Sequence, residues 1–263
     1  MKKTWVIVRK EWAEVFKNRF VFFTVAFLPL VLTALPLITL SSMGASGDMG
    51  GLTASDMPAN FSTLCEGLAP GDCGQYFLVS QFMLLFMLMP LTIPVTFAAY
   101  SIVGEKTTRT LEPVLATPVS TLELLTGKAL AAAVPGIGVT WLAFGVFIIG
   151  VRMLSTSAEL MARLTSGMWL VAIFIIGPLM AVAAVCVAVM VSSRATDPRV
   201  AEQLSMLVIL PLLALFFGQI SGFILLNQQV MIWMAVGLLV VDVGLMAFAT
   251  QLFQREAILT RWK

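Results

Sequence analysis

The sequence predicts an all-α membrane protein with six transmembrane helices, both termini cytoplasmic and an amphipathic helix at the N-terminus. Three observations carry this. First, the 263 residues are 59% hydrophobic and only 11% charged, where a soluble domain of this size would be about a quarter charged. Second, the apolar residues fall into six stretches, roughly 20–41, 77–103, 129–151, 168–191, 204–226 and 230–252, each near the ~20 residues needed to cross a bilayer. They are continuous rather than alternating, which excludes a β-barrel. Third, with the N-terminus inside, the inner segments hold Lys2, Lys3, Arg9, Lys10, Lys17, Arg19, Lys106, Arg109, Lys128, Arg194, Arg199, Arg255, Arg261 and Lys263. That leaves only Arg152 and Arg163 of the sixteen basic residues outside, an asymmetry that orients membrane proteins. One polytopic domain spans 1–263. The same dispersal of basic residues over helix ends provides no basic face for nucleic acid.

Residues 4–19 are expected to form the interfacial helix. Trp5, Val8, Trp12 and Val15 share one helical stripe, with Lys10, Glu14 and Lys17 on the other side. Tryptophan at the apolar edge and lysine at the polar edge suit a helix lying on the membrane. The first span contains Pro29 and Pro36, tolerated where neighbouring groups satisfy the freed carbonyls. An outside loop, 42–76, follows, rich in Gly, Ser and Asp. It holds Cys65 and Cys73, a pair expected to form a disulfide in an oxidising compartment. Cys186 lies in the fourth span. The long polar lead before the first span argues against a cleavable signal.

The second span returns inward and leads into a polar segment with charges of both signs. This inner segment, 104–127, carries two helix-start signals. Thr110 caps a short helix at Leu111 with Glu112 in its first turn, and Pro118 ends it. Ser120 and Glu123 have capping-box spacing ahead of Leu124 and Leu125. The result is a short surface helix, a kink and a longer helix entering the third span. On composition alone this is either an ordinary capped loop or a rigid docking element. The fourth span is alanine-rich, which permits close helix packing. In the second inner loop, 192–203, Asp197 before Pro198 is an N-cap with proline at the first helical position. The Gly218–Gly222 pair either spaces a helix contact or breaks the fifth helix, making 219–229 an outside or re-entrant segment.

Several chemistries find no residues here. The chain has no histidine, the usual general base and the commonest metal ligand. Three cysteines divided between loop and membrane do not suggest a metal site. Gly127-Lys128 lacks the upstream glycine of a phosphate-binding loop, so any ATP-driven cycle needs another subunit. Asp242 is the single ionisable residue deep in a span. An unpaired charge there costs several kcal/mol, so Asp242 is either part of a translocation path, with Gln219 as companion, or a protonated or hydrogen-bonded Asp locking two helices. The sixteen methionines read as core filler rather than a copper path.

Gly104-Glu105-Lys106, Arg109-Thr110-Leu111-Glu112, Leu115-Ala116-Thr117-Pro118-Val119-Ser120, Glu123 and Gly127-Lys128 together resemble the signature of type-2 ABC exporter permeases, in particular the branch associated with sodium or drug export. Arg9-Lys10-Glu11 with Asn18-Arg19, Ser192 to Arg199, and Phe253-Gln254-Arg255-Glu256 with Ile258-Leu259 support the resemblance, which covers the whole chain. It implies a permease in a prokaryotic cytoplasmic membrane, paired with a second permease and with nucleotide-binding subunits that carry ATP and Mg. In that arrangement Glu105, Lys106, Arg109, Thr110, Leu111, Glu112, Leu115 and Pro118 belong to the contact with the ATPase. Alternatives are a polysaccharide or lipid exporter of the same fold and a non-transporting membrane assembly module. The Gly/Ser-rich first outside loop departs from the family pattern.

Overall fold

A computed structural model describes residues 2–15, 17, 19–43, 67–68, 70–107, 121–154 and 157–252. Eleven α-helices can be followed in chain order. They are α1 (Lys2–Val15), α2 (Arg19–Met43), α3 (Pro70–Phe86), α4 (Met89–Thr107), α5 (Thr121–Leu154), α6 (Ala158–Leu164), α7 (Gly167–Val171), α8 (Gly177–Arg194), α9 (Pro198–Ser205), α10 (Leu210–Ile220) and α11 (Gln228–Leu252). Among the described residues there is no strand. Among the same residues, six helical segments are long and apolar enough to cross a membrane: Val25–Ser42, Asp72–Glu105, Glu123–Leu154, Ala158–Arg194, Pro198–Ile220 and Gln228–Gln251.

The second span is two helices, α3 and α4, separated by a turn at Met87 and Leu88. Pro90 follows in the first turn of α4, where a missing N–H is harmless. The span also begins earlier than the apolar pattern indicates, because α3 starts at Pro70, inside the stretch read as outer loop. Its first turn carries Asp72, favoured by the helix dipole.

α4 is the centre of the bundle. Met89, Val95, Ala99 and Val103 are fully buried, with Leu91, Ile93 and Phe97 nearly so. A helix that is apolar all round needs neighbours all round, and α4 packs against α8, α5, α9 and α2. Over their most apolar 18 residues, the α3–α4 span is 78% buried by residue and α11 only 11%. The last helix is therefore peripheral. Val240, Val241 and Val243 point away from the protein, as suits contact with acyl chains.

Close approach explains two glycines of α5. A Cβ at Gly136 would sit 2.8 Å from Pro94 Cδ of α4, and one at Gly150 2.6 Å from Leu37 Cδ2 of α2. Small residues at such crossings let membrane helices pack backbone to side chain.

The fourth span is not uniformly α-helical. Residues Ala172–Ile176 form a π-helical turn between α7 and α8. Pro178 stands just beyond and has no N–H to offer the carbonyls of the preceding turn. The Trp141 indole of α5 donates to the Ile173 carbonyl at 3.2 Å instead. A carbonyl orphaned in an apolar setting would otherwise cost several kcal/mol.

The fifth helix starts as the sequence indicates. Asp197 is extended, and its carboxylate accepts the Arg199 N–H at 2.7 Å. After a short 3-10 turn, Met206–Ile209, α10 stops at Ile220. Gly222 adopts φ 75°, the left-handed conformation that commonly closes helices. Its N–H donates to the Gln219 carbonyl, and the Ile224 N–H to the Gly218 carbonyl. The glycine pair thus ends the helix, and residues 221–227 are not helical.

Candidate functional site at the root of the polar loop

The helix ends that carry lysines and glutamates converge where α1, α4 and α5 meet. α1 is amphipathic, and its buried face is Val8, Glu11 and Val15, three positions on one stripe. The sequence stripe is rotated slightly: Trp5 is exposed, and Trp12 donates its indole N–H to the Ala131 carbonyl of α5 at 2.9 Å. Gly127 makes this docking possible, since a Cβ there would lie 2.9 Å from Ile7 Cγ2 and 3.0 Å from Ile7 Cβ.

Placing Glu11 on the buried stripe demands a cation. Lys128, one residue past that glycine, supplies it: its Nζ donates to Glu11 Oε1 at 2.8 Å and to Ser101 Oγ of α4 at 2.8 Å. It also lies 2.8 Å from Glu105 Oε2. Lys128, Glu11 and Glu105 all have side chains under a tenth exposed. Lys10 closes the cluster from the surface. Its Nζ pairs with Glu105 Oε1, with Glu14 at 3.1 Å and with Glu11 at 3.6 Å. Carboxylate oxygens of Glu11, Glu14 and Glu105 lie within 4.8 Å of one another. The Lys10 ammonium occupies the place between them where a cation belongs.

The charges shift one another. Burial pushes the Glu11 carboxyl upward, but Lys128 beside it, helped by Ser101 and Lys10, outweighs burial and holds it below its ordinary 4.5. Burial works to lower Lys10, but its hydrogen bond and charge contact with Glu105, reinforced by Glu11 and Glu14, hold it above its ordinary 10.5. Both shifts favour the charged pair.

A second grip on α4 comes from the opposite side. Thr96 donates to Glu202 Oε1 of α9 at 2.7 Å, and Ala201 packs against Ala99 and Val103. The last turns of α4 are thus clamped by α1 and α5 on one flank and by α9 on the other. In the sequence, the polar loop follows directly on this clamped end.

The predicted contact residues fall differently against the structure. Glu105 is buried and ion-paired within the chain, so it anchors the loop's root rather than presenting itself outward. Lys106 lies in the last turn of α4. Arg109, Thr110, Leu111, Glu112, Leu115 and Pro118 lie outside the described residues. Asp242 and Gln219 are both buried, and neither Asp242 oxygen, nor Gln219 Oε1, has a hydrogen-bond partner among the described residues. They belong to different regions. Asp242 lies on α11, a helix that packs against α8; Gln219 lies in the last turn of α10, a helix that packs against α3. Cys73 is disulfide-bonded and Cys186 is free; Cys65 lies outside the described residues.

Glu11, Lys128, Ser101 and Glu202 were not singled out as site residues by sequence reasoning, although two signals were present. Glu11 interrupts an apolar stripe, and Lys128 interrupts an alanine-rich apolar run. Each is a charge on a face that otherwise buries, so each requires an opposite partner. Ser101 and Glu202 had no comparable signal.

A search of curated proteins returned no match. A protein-family comparison did: the model described as ABC-2 family transporter protein matches residues 5–256. The match runs from the first turns of α1, through the clamped end of α4, past the end of α11, and so includes every element of the cluster. With six spans and a buried ionic cluster at the root of its polar loop, the chain belongs to the ABC-2 family of transporter proteins and is a multi-pass membrane permease of an ABC transporter.

Proposed function

We propose that this chain is the membrane subunit of an ATP-driven exporter and that the segment 104–120 docks on a separate ATPase subunit. ATP and Mg are held by that partner, and a second permease, a copy or a homologue, completes the translocation path. The observation that carries the reading is the clamp on α4. A docking loop passes on a push only if its root is rigid, and this root is tied by ion pairs to α1 and α5 and by a hydrogen bond to α9. The basic residues favour an orientation with the loop and both termini in the cytoplasm of a prokaryote. A Cys65–Cys73 bridge on the opposite side belongs to the same reading.

Because Glu105 faces inward, the docking surface is assigned to the loop beyond it. Charge reversal at Arg109 (Arg109→Glu) and Glu112 (Glu112→Lys) is expected to lose the ATPase subunit on co-purification, or to lower ATP turnover of the complex at least tenfold. Normal co-purification and turnover in both variants overturns the assignment.

A further inference from the structure

The ion pairs that fasten α1 to the bundle leave its opposite face uncovered. Trp5, Val6, Arg9 and Ala13 lie there, all exposed, within about a third of the helix circumference. Trp5 is 61% and Val6 67% exposed, which is costly in water and favourable in a lipid interface. Two contacts fix which flank of α1 is turned to the bilayer. The Trp12 indole donates to the Ala131 carbonyl, which lies inside the third span, Glu123–Leu154, about 12 Å of helix rise past its start. On the other flank Lys10 reaches Glu105, at the loop end of α4. Trp5 stands edge-on to Trp12, with ring centroids 5.9 Å apart, so it shares the bilayer flank. Arg9 follows Trp5 by four residues and falls beside it on the helix surface.

The positive charge on this side is not answered within the protein. Both acids of α1 are taken, Glu11 by Lys128 and Glu14 by Lys10. Arg9, and beyond α1 also Lys17 and Arg19, are exposed, and none of the three has an acidic partner among the described residues. Arg19 precedes the start of the first span at Val25 by six residues, about 9 Å of helix, which puts it at headgroup level. The helix therefore turns its acids to the protein and its unpaired cations, beside an exposed indole, to the membrane surface.

We propose that the outward face of α1, together with Lys17 and Arg19, is a docking surface for anionic phospholipid headgroups. Trp5 and Val6 enter the interface, and Arg9, Lys17 and Arg19 gather lipids of net negative charge around them. A zwitterionic lipid meets the apolar requirement but leaves the cations without net counter-charge. The same helix carries Glu11 into the cluster with Lys128, so α1 is held from inside by ion pairs and from outside by the charge of the leaflet. The proposal concerns the lipid, and depends neither on what is transported nor on the docking assigned to the polar loop.

The test uses the full chain in nanodiscs of equimolar phosphatidylcholine and phosphatidylglycerol, with one lipid or the other brominated high on its acyl chains. Bromine quenches nearby indoles, and the Trp5 emission is the difference between the wild type and Trp5→Phe. Brominated phosphatidylglycerol is expected to quench Trp5 at least threefold more strongly than brominated phosphatidylcholine. The ratio should fall to about one in the triple variant Arg9→Gln, Lys17→Gln, Arg19→Gln, and persist in Arg9→Lys, Arg19→Lys, which keeps the charge. Raised salt should lower the ratio by screening, whereas excess inorganic phosphate at constant ionic strength should leave it unchanged. Equal quenching by the two lipids in the wild type, or an undiminished ratio in the triple glutamine variant, overturns the proposal. So does the absence of quenching by either lipid, which would turn this face to water, and loss of the preference in phosphate, which would mark a site for free anions.

Discussion

Removing the Lys128 ammonium leaves Glu11 and Glu105 buried together without the cation that lies 2.8 Å from each. Breaking a buried ion pair from one side costs about 3–5 kcal/mol, because the remaining charge has lost its solvent and its partner. Lys128→Met is therefore expected to lower the thermal midpoint in detergent by several degrees, followed by tryptophan fluorescence. Adding Glu11→Gln and Glu105→Gln should recover much of the loss; an unchanged midpoint in Lys128→Met alone would show that the cluster contributes nothing to stability. The pH dependence follows from the directions of the two shifts. Glu11 is held below 4.5 when folded, so its contribution is present above that pH and is lost as pH falls through the lowered folded value. Lys10 is held above 10.5 when folded, so its contribution is present below that pH and is lost as pH rises through the raised folded value. Neither titration tilts the stability curve across the neutral range. Glu11→Gln should remove part of the acid-side decline.

At the scale of elements, the docking of α1 depends on one small residue. A Cβ at Gly127 would meet Ile7 at 2.9 Å, and the atoms include a branched carbon next to the backbone, which has little room to yield. Gly127→Leu is expected to lift α1 from α5, breaking the Trp12–Ala131 hydrogen bond and exposing the cluster. Hydrogen exchange over residues 2–15 should rise by an order of magnitude or more, and Ile7→Ala in the same chain should reverse most of it. Unchanged exchange in Gly127→Leu would rule out tight packing there. The elements were legible in the sequence to differing degrees. The six spans follow from apolar length and the start of the fifth from Asp197-Pro198, whereas the Gly218–Gly222 pair left its end open between a helix contact and a break. The turn at Met87 and Leu88 was hidden because both residues are apolar and the flanking runs read as one. The π-turn before Pro178 was hidden because its cost is met by Trp141, distant in sequence. The cluster was half visible: its charges could be read, but which charge finds which depends on a crossing of α1 and α5 set by Gly127.

For the whole molecule, helix alternation places the α1–α2 junction and the α8–α9 junction at one end and the α10–α11 junction at the other. With the positive-inside orientation, Lys17→Cys and Thr196→Cys should react with a membrane-impermeant maleimide only in inside-out vesicles, and Asn227→Cys only in right-side-out ones. All three sites are exposed, so a reversed pattern would mean a reversed orientation rather than a buried thiol. The burial gradient from α4 outward to α11 has the same global character. A central helix buried on every side changes position only with its neighbours, whereas a peripheral one faces the bilayer along most of its length.

The ion pair between Glu11 and Lys128 joins residues 117 apart in the chain, and this has a consequence for the order in which the protein is made. At about 5–20 residues per second, Glu11 leaves the ribosome roughly 6–23 seconds before the lysine that will accompany it into the interior. During that interval the acid has only local company, and α1 has neither the groove beside Gly127 nor the Ala131 carbonyl to settle on. The first helix synthesised is thus held back at the aqueous surface by its own charge until α5 arrives, and the N-terminus is fastened only after the third span is in place.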